Sequence, residues 1–402
     1  MEIEQKFHRA GFFLLILGFF AISFCESSHA EQDAAIKREC ILFKRGDIGF
    51  HTFRIPAIVR CADGSIAAFA EARKDNSKDS GRISIAMRKS SDGGKTWTPI
   101  EIVADGGGDS CGNPVPIVDK RSGDLILIYN KTLACDTEKR ILSGTAKDMR
   151  RTFIKRSRDN GNTWEEPRQI TQQVKLQEQT WFAIGPSGAI QIEGGKFDGR
   201  IVCPVATATS VPFLYWATAI FSDDGGNTWQ RGNFVAYDGA NESQIAQIDS
   251  DTIAINMRIH GRNPDGSRKT PFRVVAMSRD GGRTWGNPIP DPALPEPICE
   301  ASFTSFPRGD SSILAFSNPA DTARRVNMTL RFADSKKYLE NFSKNFSSKS
   351  VWTPGMLICD SPSGYSDTVF IDEHTLGIIY ERGVKSSIEE IAFSTIAVPK
   401  EL

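Results

Sequence analysis

Short stretches in which apolar and polar residues alternate recur along the chain and determine its predicted secondary structure. Ile83–Met87 alternates in this way, and Leu125–Tyr129 and Val274–Met277 are short apolar runs. Alternation with a period of two, and short runs rich in Val, Ile and Leu, are typical of β-strands. No segment carries the spacing of a long amphipathic helix. The pattern therefore predicts an all-β protein.

Four copies of one turn motif separate these predicted strands. Each copy reads Ser-x-Asp-x-Gly-x-Thr-Trp, and the copies begin at Ser90, Ser157, Ser222 and Ser278. Asp and Ser side chains bond nearby backbone groups, and Gly accepts a positive φ, so each copy predicts a tight turn. An eroded fifth copy, with an insertion inside it, is predicted at Ala333–Trp352.

The spacing of the motif predicts the architecture. Successive copies start 56 to 67 residues apart, which is longer than one hairpin and indicates repeated supersecondary units. Residues 31–402 divide into six units of about 62 residues each. We therefore predict a six-bladed β-propeller of four-stranded antiparallel blades, in which two blades lack a clean copy of the motif.

The N-terminal residues have the features of a targeting segment. Two cations precede an apolar stretch at 11–25, and Ser28 and Ala30 supply the small residues of a cleavage site. We predict a secretory signal peptide at 1–30 and a single domain at 31–402. The protein is then secreted or lysosomal, or periplasmic or extracellular in a bacterium, with no stable membrane span after cleavage. An uncleaved signal anchor is the alternative, but the apolar stretch is shorter than the roughly 20 residues of a membrane span.

Charge and cysteine content argue against a nucleic-acid partner and against a zinc site. Lys+Arg and Asp+Glu both number 49, so the formal net charge is zero, whereas nucleic-acid-binding domains are usually basic. Seven cysteines follow residue 30 without a Cys-x-x-Cys pair, so neither a nucleic-acid partner nor a zinc site is predicted.

In an oxidising compartment Cys111 and Cys135 are a candidate disulfide. Asn-x-Ser/Thr sequons begin at Asn130, Asn241, Asn327, Asn341 and Asn345.

Six further motifs follow one another along the chain. They are Phe53–Pro56, Phe69–Arg73 followed by Asp79–Gly81, Asn241–Ser243 with Asn256–Arg258, Arg325–Arg331, Pro362–Ser366 and Tyr380–Gly383. Together with the turn motifs, which match the Asp box, they resemble the sialidase family, above all animal lysosomal-type and bacterial exo-α-sialidases. The resemblance covers nearly all of 31–402. It implies removal of terminal sialic acids from glycoproteins, glycolipids or oligosaccharides, without a metal or an organic cofactor.

The resemblance implies that three arginines, Arg54, Arg258 and Arg325, bind the carboxylate of the substrate. Sialic acid carries this carboxylate on its anomeric carbon, and planar guanidinium groups pair with carboxylates in bidentate fashion. A propeller brings equivalent strand ends to one mouth, so positions far apart in sequence can meet there. Arg324 is the alternative third arginine, although the Arg-x-Asn spacing favours Arg325.

The resemblance assigns the chemistry to Tyr365, Glu242 and Asp79. A neutral phenol approaches the anomeric carbon without repulsion from the substrate's carboxylate, and sialidases are known exceptions to the two-carboxylate rule of glycosidases. Because the unperturbed pKa of a phenol is about 10, Tyr365 needs a base, and Glu242 is the matching residue. Asp79, on a polar loop, is the implied general acid and base, with Asp75 as a local competitor.

Four more residues are given supporting roles. Arg73 is expected at the pocket edge, and Glu381 is expected to orient Arg54. Trp181 and Phe182 either shape a pocket for the N-acyl group or pack in the core. Three other functions stay open: a trans-sialidase with the same residues, an inactive sialic-acid-binding lectin, and a propeller that merely carries Asp boxes.

Overall fold

A computed structural model of the chain describes residues 36–210, 213–347 and 349–402. The signal peptide predicted at 1–30 lies outside these residues. β-strands dominate the described residues, as the alternating pattern predicts. The helices are α1 (Glu138–Leu142), α2 (Thr171–Val174) and α3 (Ser335–Ser343), with a short 3-10 turn at Asp47–Gly49.

Twenty-four strands run through the described residues. In chain order they are β1 (Ile36–Lys44), β2 (Thr52–Arg60), β3 (Ile66–Arg73), β4 (Ile83–Ser90), β5 (Glu101–Ala104), β6 (Ser110–Val118), β7 (Leu125–Thr132), β8 (Arg151–Ser157), β9 (Arg168–Gln169), β10 (Gln179–Ile184), β11 (Ile190–Gln191), β12 (Ile201–Ser210), β13 (Phe213–Ser222), β14 (Gln230–Arg231), β15 (Ala240–Gln247), β16 (Ile253–Ile259), β17 (Phe272–Ser278), β18 (Ile289–Pro295), β19 (Ser302–Arg308), β20 (Ser311–Pro319), β21 (Val326–Asp334), β22 (Met356–Asp372), β23 (Thr375–Arg382) and β24 (Glu390–Ala397).

The described strands form four hydrogen-bonded sheets. Their orders are β2-β3-β4-β6-β7-β8-β9 with β5 beside β4, β10-β12-β13-β14 with β11 beside β12, β15-β16-β17-β18, and β1-β24-β23-β22-β21-β20-β19. In the first sheet β4 and β6 meet only through one parallel pair, Ile83 with Ser110. In the last sheet the long strand β22 pairs first with β21 and then with β23. The other strand pairs are antiparallel.

Contacts between the sheets connect six of the strands in a series. Strand β2 contacts β22 and β6, β6 contacts β10, β15 contacts the sheet of β10 and also β19, and β19 contacts β22. The ring of contacts therefore closes on itself. The N-terminal strand β1 pairs along its length with β24, from Ile36 with Ile396 to Lys44 with Glu390, so the two ends of the described chain lie in one sheet.

Apolar side chains fill the space between neighbouring sheets. In one cluster Val115 and Ile128 of the first sheet meet Phe182, Ile184 and Val205 of the second, and all five are buried. Burial of side chains of this size contributes about 1.5–3 kcal/mol each. The period-two pattern of the sequence thus provides the apolar faces that hold the sheets together.

The four motifs form turns between strands, at β4–β5, β8–β9, β13–β14 and β17–β18, and share the same Ser, Asp and Thr hydrogen bonds. In the first copy the Ser90 hydroxyl accepts from the Gly94 N–H at 2.8 Å. The Asp92 carboxylate accepts from the backbone N–H of Thr96 at 2.9 Å and from its hydroxyl at 2.6 Å. Gly94 has φ +86°, and a Cβ there would overlap the Phe393 ring, so this position requires glycine. The Asp boxes are structural turns.

The segment predicted to hold an eroded fifth copy contains helix α3. Its Trp352 is buried and donates from Nε1 to the Asp291 carboxylate at 3.0 Å. Phe303 and Phe316 pack against the same indole. The tryptophan of this segment is therefore a core residue, and the inserted residues form the helix.

The candidate disulfide does not form. The seven described cysteines are free thiols, Cys111 is buried in β6 and Cys135 is exposed in the loop that follows β7. Burial raises the pKa of the Cys111 thiol to about 11, which makes it unreactive. Within the described ranges, no helix has the length and apolar character needed to cross a membrane.

Candidate active site

A cavity of about 410 Å³ brings most of the predicted site residues together. Seven of the eight line it: Arg54, Arg73, Asp79, Glu242, Arg258, Arg325 and Tyr365. The eighth, Glu381, is fully buried behind this lining. Residues that span more than three hundred positions of sequence thus meet at one site, because the sheets that hold them pack against one another.

Tyr365, on β22, forms a tight polar cluster with Glu242 and Arg258. Its hydroxyl donates to the Glu242 carboxylate, with distances of 2.6 and 2.7 Å to the two oxygens. Nη1 of Arg258 donates to the same hydroxyl at 2.9 Å and also pairs with Glu242. A base and a cation therefore contact one phenol oxygen, which is the arrangement required to generate a phenolate.

The electrostatic environment of Tyr365 has opposing contributions. Burial raises the pKa of Tyr365 well above its usual value, and the negative charge of Glu242 raises it further. The positive charges of Arg258, Arg325 and Arg54 lower the pKa. The phenol is thus protonated, and the Glu242 carboxylate lies within reach of its proton.

Arg54 is fixed by a bidentate ion pair with Glu381, as the sequence predicts. Its Nε and Nη2 donate to the two carboxylate oxygens at 2.9 and 3.1 Å. The backbone N–H groups of Ile55 and Tyr365 donate to the same carboxylate, at 2.9 and 3.1 Å. One buried carboxylate therefore positions both Arg54 and the backbone of Tyr365. Gly364 allows this contact, because a Cβ there would overlap Glu381 Oε2.

The structure distinguishes the two candidates for the third arginine. Arg325 lines the cavity, and its guanidinium carbon lies 5.5 Å from the centre of the Tyr365 ring. Its Nη2 donates to the Ile298 carbonyl at 2.9 Å. Arg324 is exposed. Arg54 lies over the same ring at 5.1 Å, so the cations surround the phenol.

Asp79 projects into the open mouth of the cavity, where its side chain is 82% exposed. Its Oδ1 lies 2.7 Å from Nη1 of Arg73 and 3.5 Å from Nη1 of Arg54. Desolvation would raise the pKa of Asp79, but the charges of Arg73 and Arg54 outweigh it and lower the pKa. Its competitor Asp75 pairs with Arg82 instead and is not part of the lining.

Three non-glycine residues with a positive φ lie beside these arginines. Ile55 follows Arg54 and has φ 57°, Ile298 has φ 60°, and Asn327 has φ 59°. A β-branched residue in the left-handed region costs about 1–3 kcal/mol and persists only where surrounding contacts impose it. Here Ile55 donates to Glu381 and Ile298 accepts from Arg325. The strained peptides therefore hold the arginine-binding contacts.

Trp181 and Phe182 have different environments. Trp181 lines the cavity, whereas Phe182 is fully buried in the core between the first two sheets. Successive residues of a strand point to opposite faces, and this separates them. Phe182 therefore packs in the core, whereas Trp181 faces the cavity.

Several residues of the lining, among them Glu71, Glu138 and Arg150, have no role predicted from the sequence. Glu71 accepts from Nη2 of Arg73 at 2.7 Å and from the backbone N–H of Asn113 at 2.8 Å. Glu71 lies inside the Phe69–Arg73 motif, so its position gave a signal. Glu138 and Arg150 also line the cavity, but neither lies in a motif, and only the folded chain identifies them.

Comparisons with known proteins agree with this architecture. The family model of a BNR repeat-like domain matches residues 64–377. A sialidase of Bacteroides fragilis is 30% identical over 87% of this chain and 63% of its own length. Sialidase-3 of Bos taurus is 27% identical over 88% of this chain and 91% of its own length. The solved structure of the Hadza microbial sialidase Hz136 is 27% identical, with a TM-score of 0.74 over 90% of this chain and 68% of that one. The chain thus spans less than two thirds of the Bacteroides protein.

Proposed function

Since the chain belongs to the sialidase family with BNR repeats, we propose that it is a retaining exo-α-sialidase with Tyr365 as its nucleophile. Its substrates are terminal sialic acids of glycoproteins, glycolipids or oligosaccharides. One observation carries the proposal. The Tyr365 hydroxyl contacts both the Glu242 carboxylate and Arg258, beside two further arginines at the cavity.

The carboxylate of the substrate binds between Arg54, Arg258 and Arg325. Three guanidinium groups supply the planar donors that a carboxylate accepts, and partial burial makes each pair stronger than in water. The anomeric carbon is bonded to this carboxylate, so binding places that carbon next to the phenol oxygen. Positioning of this kind removes much of the entropic barrier to attack.

In the first step Glu242 takes the hydroxyl proton of Tyr365, and the phenol oxygen forms a bond to the anomeric carbon. The glycosidic bond breaks, and its electron pair remains on the leaving oxygen, which takes a proton from Asp79. In the second step water loses a proton to Asp79 and its oxygen attacks the anomeric carbon. The bond to Tyr365 breaks and the phenolate recovers its proton from Glu242. Two inversions give net retention of configuration.

Asp79 must hold a proton to act first as an acid. The charges of Arg73 and Arg54 lower its pKa. A bound substrate brings a negative charge to Arg54, which offsets part of this effect and raises the pKa of Asp79 again. Substrate binding therefore prepares the acid. Its exposed position at the mouth suits contact with a leaving group that extends toward solvent.

Two further features belong to this proposal: the division of the strands into blades and the role of residues 1–30. The strands divide into six four-stranded blades, with boundaries at the single β4–β6 pair and inside β22, and the last blade takes its outer strand β1 from the N-terminal end. Residues 1–30 direct the protein into the secretory pathway. N-terminal sequencing of the exported protein tests the second point, since it should begin at residue 31.

Time-resolved proton NMR of aryl α-sialoside cleavage tests the proposed reaction. The wild type should release α-sialic acid first, and Tyr365→Phe should lose nearly all activity. Tyr380→Phe is the matched control, because the Tyr380 hydroxyl bonds to Glu39 away from the cavity. First appearance of the β-anomer would overturn the covalent mechanism. Binding without turnover would indicate a lectin, and transfer to an added oligosaccharide in preference to water would indicate a trans-sialidase.

A further inference from the structure

Glu300 is a buried carboxyl beside the nucleophile that the proposed reaction does not use. It lies just before strand β19 and is 0% exposed. Its Oε2 accepts from the backbone N–H of Ser366, the residue after Tyr365, at 3.1 Å. The backbone N–H of Tyr365 itself donates to Glu381. Two adjacent peptide N–H groups in the strand of the nucleophile are therefore held by two different buried glutamates.

The two glutamates differ in their partners. Glu381 accepts four hydrogen bonds, two of them from the guanidinium of Arg54. Glu300 has no ion-pair partner among the residues that the structure describes, and its second contact is a long one, 3.5 Å from Nε2 of Gln244. A carboxylate without a cation is costly to bury, so such a group keeps a proton instead. The surroundings of Glu300 are therefore those of a neutral carboxylic acid.

Glu300 joins the strand of the nucleophile to the strand of the base. Gln244, its second contact, lies two residues after Glu242 on β15. The Gln244 side chain is itself fixed, because Nε2 donates to the Pro186 carbonyl and Oε1 accepts from the Gly188 N–H at 3.1 Å. A change at Glu300 therefore affects both β22 and β15.

The negative neighbours of Glu300 oppose its ionisation. Burial raises the pKa of Glu300 well above its usual value, and the negative charges of Asp367 on β22 and Glu242 on β15 raise it further. Cys299, the preceding residue, adds no charge, because burial raises the pKa of its thiol to about 12. Glu300 therefore keeps its proton as the pH rises past the ordinary range of a carboxyl.

The positive neighbours of Glu300 already have partners. Against the effect of burial, Arg273 of β17 lowers the pKa of Glu300. However, Nη1 of Arg273 donates to the Cys299 carbonyl at 2.9 Å and lies 3.8 Å from the Glu296 carboxylate. Arg258 of the neighbouring strand β16 pairs with the proposed base. Each of these arginines thus faces a carboxylate other than Glu300.

Ionisation of Glu300 would add a negative charge where the proposed reaction is sensitive to charge. The arginines of the cavity attract the carboxylate of the substrate, and the phenol of Tyr365 has to lose a proton. A new negative charge close to Glu242 and Tyr365 weakens the attraction and opposes the loss of the proton. A like charge at short range changes such an equilibrium by about tenfold or more.

We propose that Glu300 is a positioning residue that acts as a neutral acid: it holds the Ser366 peptide beside the nucleophile, and its ionisation sets the upper pH limit of activity. This inference rests on the proposed function, because the nucleophile and the base are those of the proposed reaction. Glu300 keeps its proton throughout turnover, so the two steps of that reaction balance as before.

The test measures kcat/KM against pH for an aryl α-sialoside with an activated leaving group, which departs without a proton from Asp79. The wild type should lose activity on the alkaline side of its optimum while tryptophan fluorescence shows that it stays folded. Glu300→Gln keeps an oxygen for the Ser366 N–H but cannot ionise, so the decline should move at least about one pH unit upward or vanish. Asp367→Asn removes a negative neighbour of Glu300, so its decline should move to lower pH.

Two more variants separate the charge of Glu300 from its contact and from burial in general. Glu300→Met has a similar length but no acceptor for the Ser366 N–H. It should also lack the alkaline decline, and its kcat/KM at low pH should be about tenfold or more below that of Glu300→Gln. Asp291→Asn is the matched control. Burial also raises the pKa of Asp291, but this carboxyl accepts from Trp352 in the core, so the decline should stay in place.

Three results of the pH series would overturn the proposal. They are an unchanged decline in Glu300→Gln, the disappearance of the decline in Asp367→Asn, and a folded wild type without any alkaline decline. Equal activity of Glu300→Gln and Glu300→Met at low pH would overturn the positioning role. If Glu300→Gln does not fold, the pH profile of Glu300→Met decides the role of the charge in the same way.

Failure of the proposed function is distinguishable from failure of this inference. If the wild type cleaves no sialoside at any pH, the proposed function fails. Infrared difference spectra between the wild type and Glu300→Gln then test Glu300 without turnover. The C=O stretch of a protonated carboxyl at neutral pH, lost on alkaline titration, supports the neutral acid. Carboxylate bands at neutral pH would overturn it.

Discussion

Replacement of Glu381 by glutamine tests the idea that one buried carboxylate holds the site together. Glu381 Oε1 accepts from Arg54 Nε and from the Ile55 N–H, and Oε2 accepts from Arg54 Nη2 and from the Tyr365 N–H. A glutamine turns one of these oxygens into an NH₂ donor. In either orientation of the amide two donors, one of them from the arginine, then face another donor, and the buried Arg54 loses its counter-charge.

The expected cost of Glu381→Gln is about 3–5 kcal/mol of the free energy of unfolding, as for other broken buried ion pairs. A domain typically has about 5–15 kcal/mol in total, so the variant should fold but unfold at much lower urea. Because the backbone N–H of either Ile55 or Tyr365 also loses its acceptor, kcat/KM should fall by about tenfold or more. Urea unfolding followed by tryptophan fluorescence, and initial rates on an aryl α-sialoside, measure the two effects.

Glu390→Gln provides the matched control for this prediction. Glu390 accepts from Arg382 Nε at 3.0 Å, next to Glu381 in the same sheet, but its side chain is 20% exposed. Pairs open to solvent contribute about 1 kcal/mol or less. The positioning role of Glu381 would be refuted if both substitutions lowered the free energy of unfolding by the same small amount and kcat/KM of Glu381→Gln stayed within about threefold of the wild type.

Three further outcomes are expected. Arg325→Ala should lower kcat/KM by about a hundredfold, because a desolvated partner of the substrate carboxylate is removed. Arg324→Ala should keep kcat/KM within about twofold of the wild type. Steady-state kinetics of both variants checks these values. Burial raises the pKa of Asp367 to about 7, so its proton stabilises the fold below about pH 4 and this contribution is lost as pH rises to 7. Asp367→Asn should therefore flatten the decline in stability over this interval by on the order of 4 kcal/mol, measured from urea midpoints at each pH. Folded protein made in a glycosylating secretory pathway should carry a glycan on the exposed Asn345 and none on Asn241, which is buried and accepts the Glu242 N–H; peptide mass spectrometry locates the glycans.

Local patterns explain why much of the fold was predictable from sequence. The alternation of Ile83–Met87 lies in β4, and the Ser90–Trp97 motif forms a turn through bonds among its own residues. Such features depend on neighbours within a few positions. The grouping of strands into sheets depends on contacts between distant segments, as between β1 and β24, and composition alone does not determine it.

The site was predictable only where several residues form a motif. Tyr365, with its flanking Ser-Gly and Ser, and Arg54 in Phe-Arg-Ile-Pro lie in such motifs, and the structure brings both to one cavity. Arg150 is a single arginine in a loop, and nothing in its neighbours shows that it will stack on Trp181 or bond Asn113. The predicted Cys111–Cys135 bond was wrong for a similar reason. Sequence spacing does not show that one thiol is buried and the other exposed.

Covalent trapping tests the central claim most directly. The reagent is a sialosyl fluoride with a second fluorine on C3. Fluoride is a good leaving group, so the proposed intermediate forms. Its hydrolysis is slow, because the fluorine beside the anomeric carbon destabilises the positively charged transition state. Intact-protein mass spectrometry should show one added sialosyl group per chain, and peptide sequencing should locate it on the oxygen of Tyr365. An adduct on Glu242 or Asp79, or turnover without any adduct, would contradict a tyrosine nucleophile.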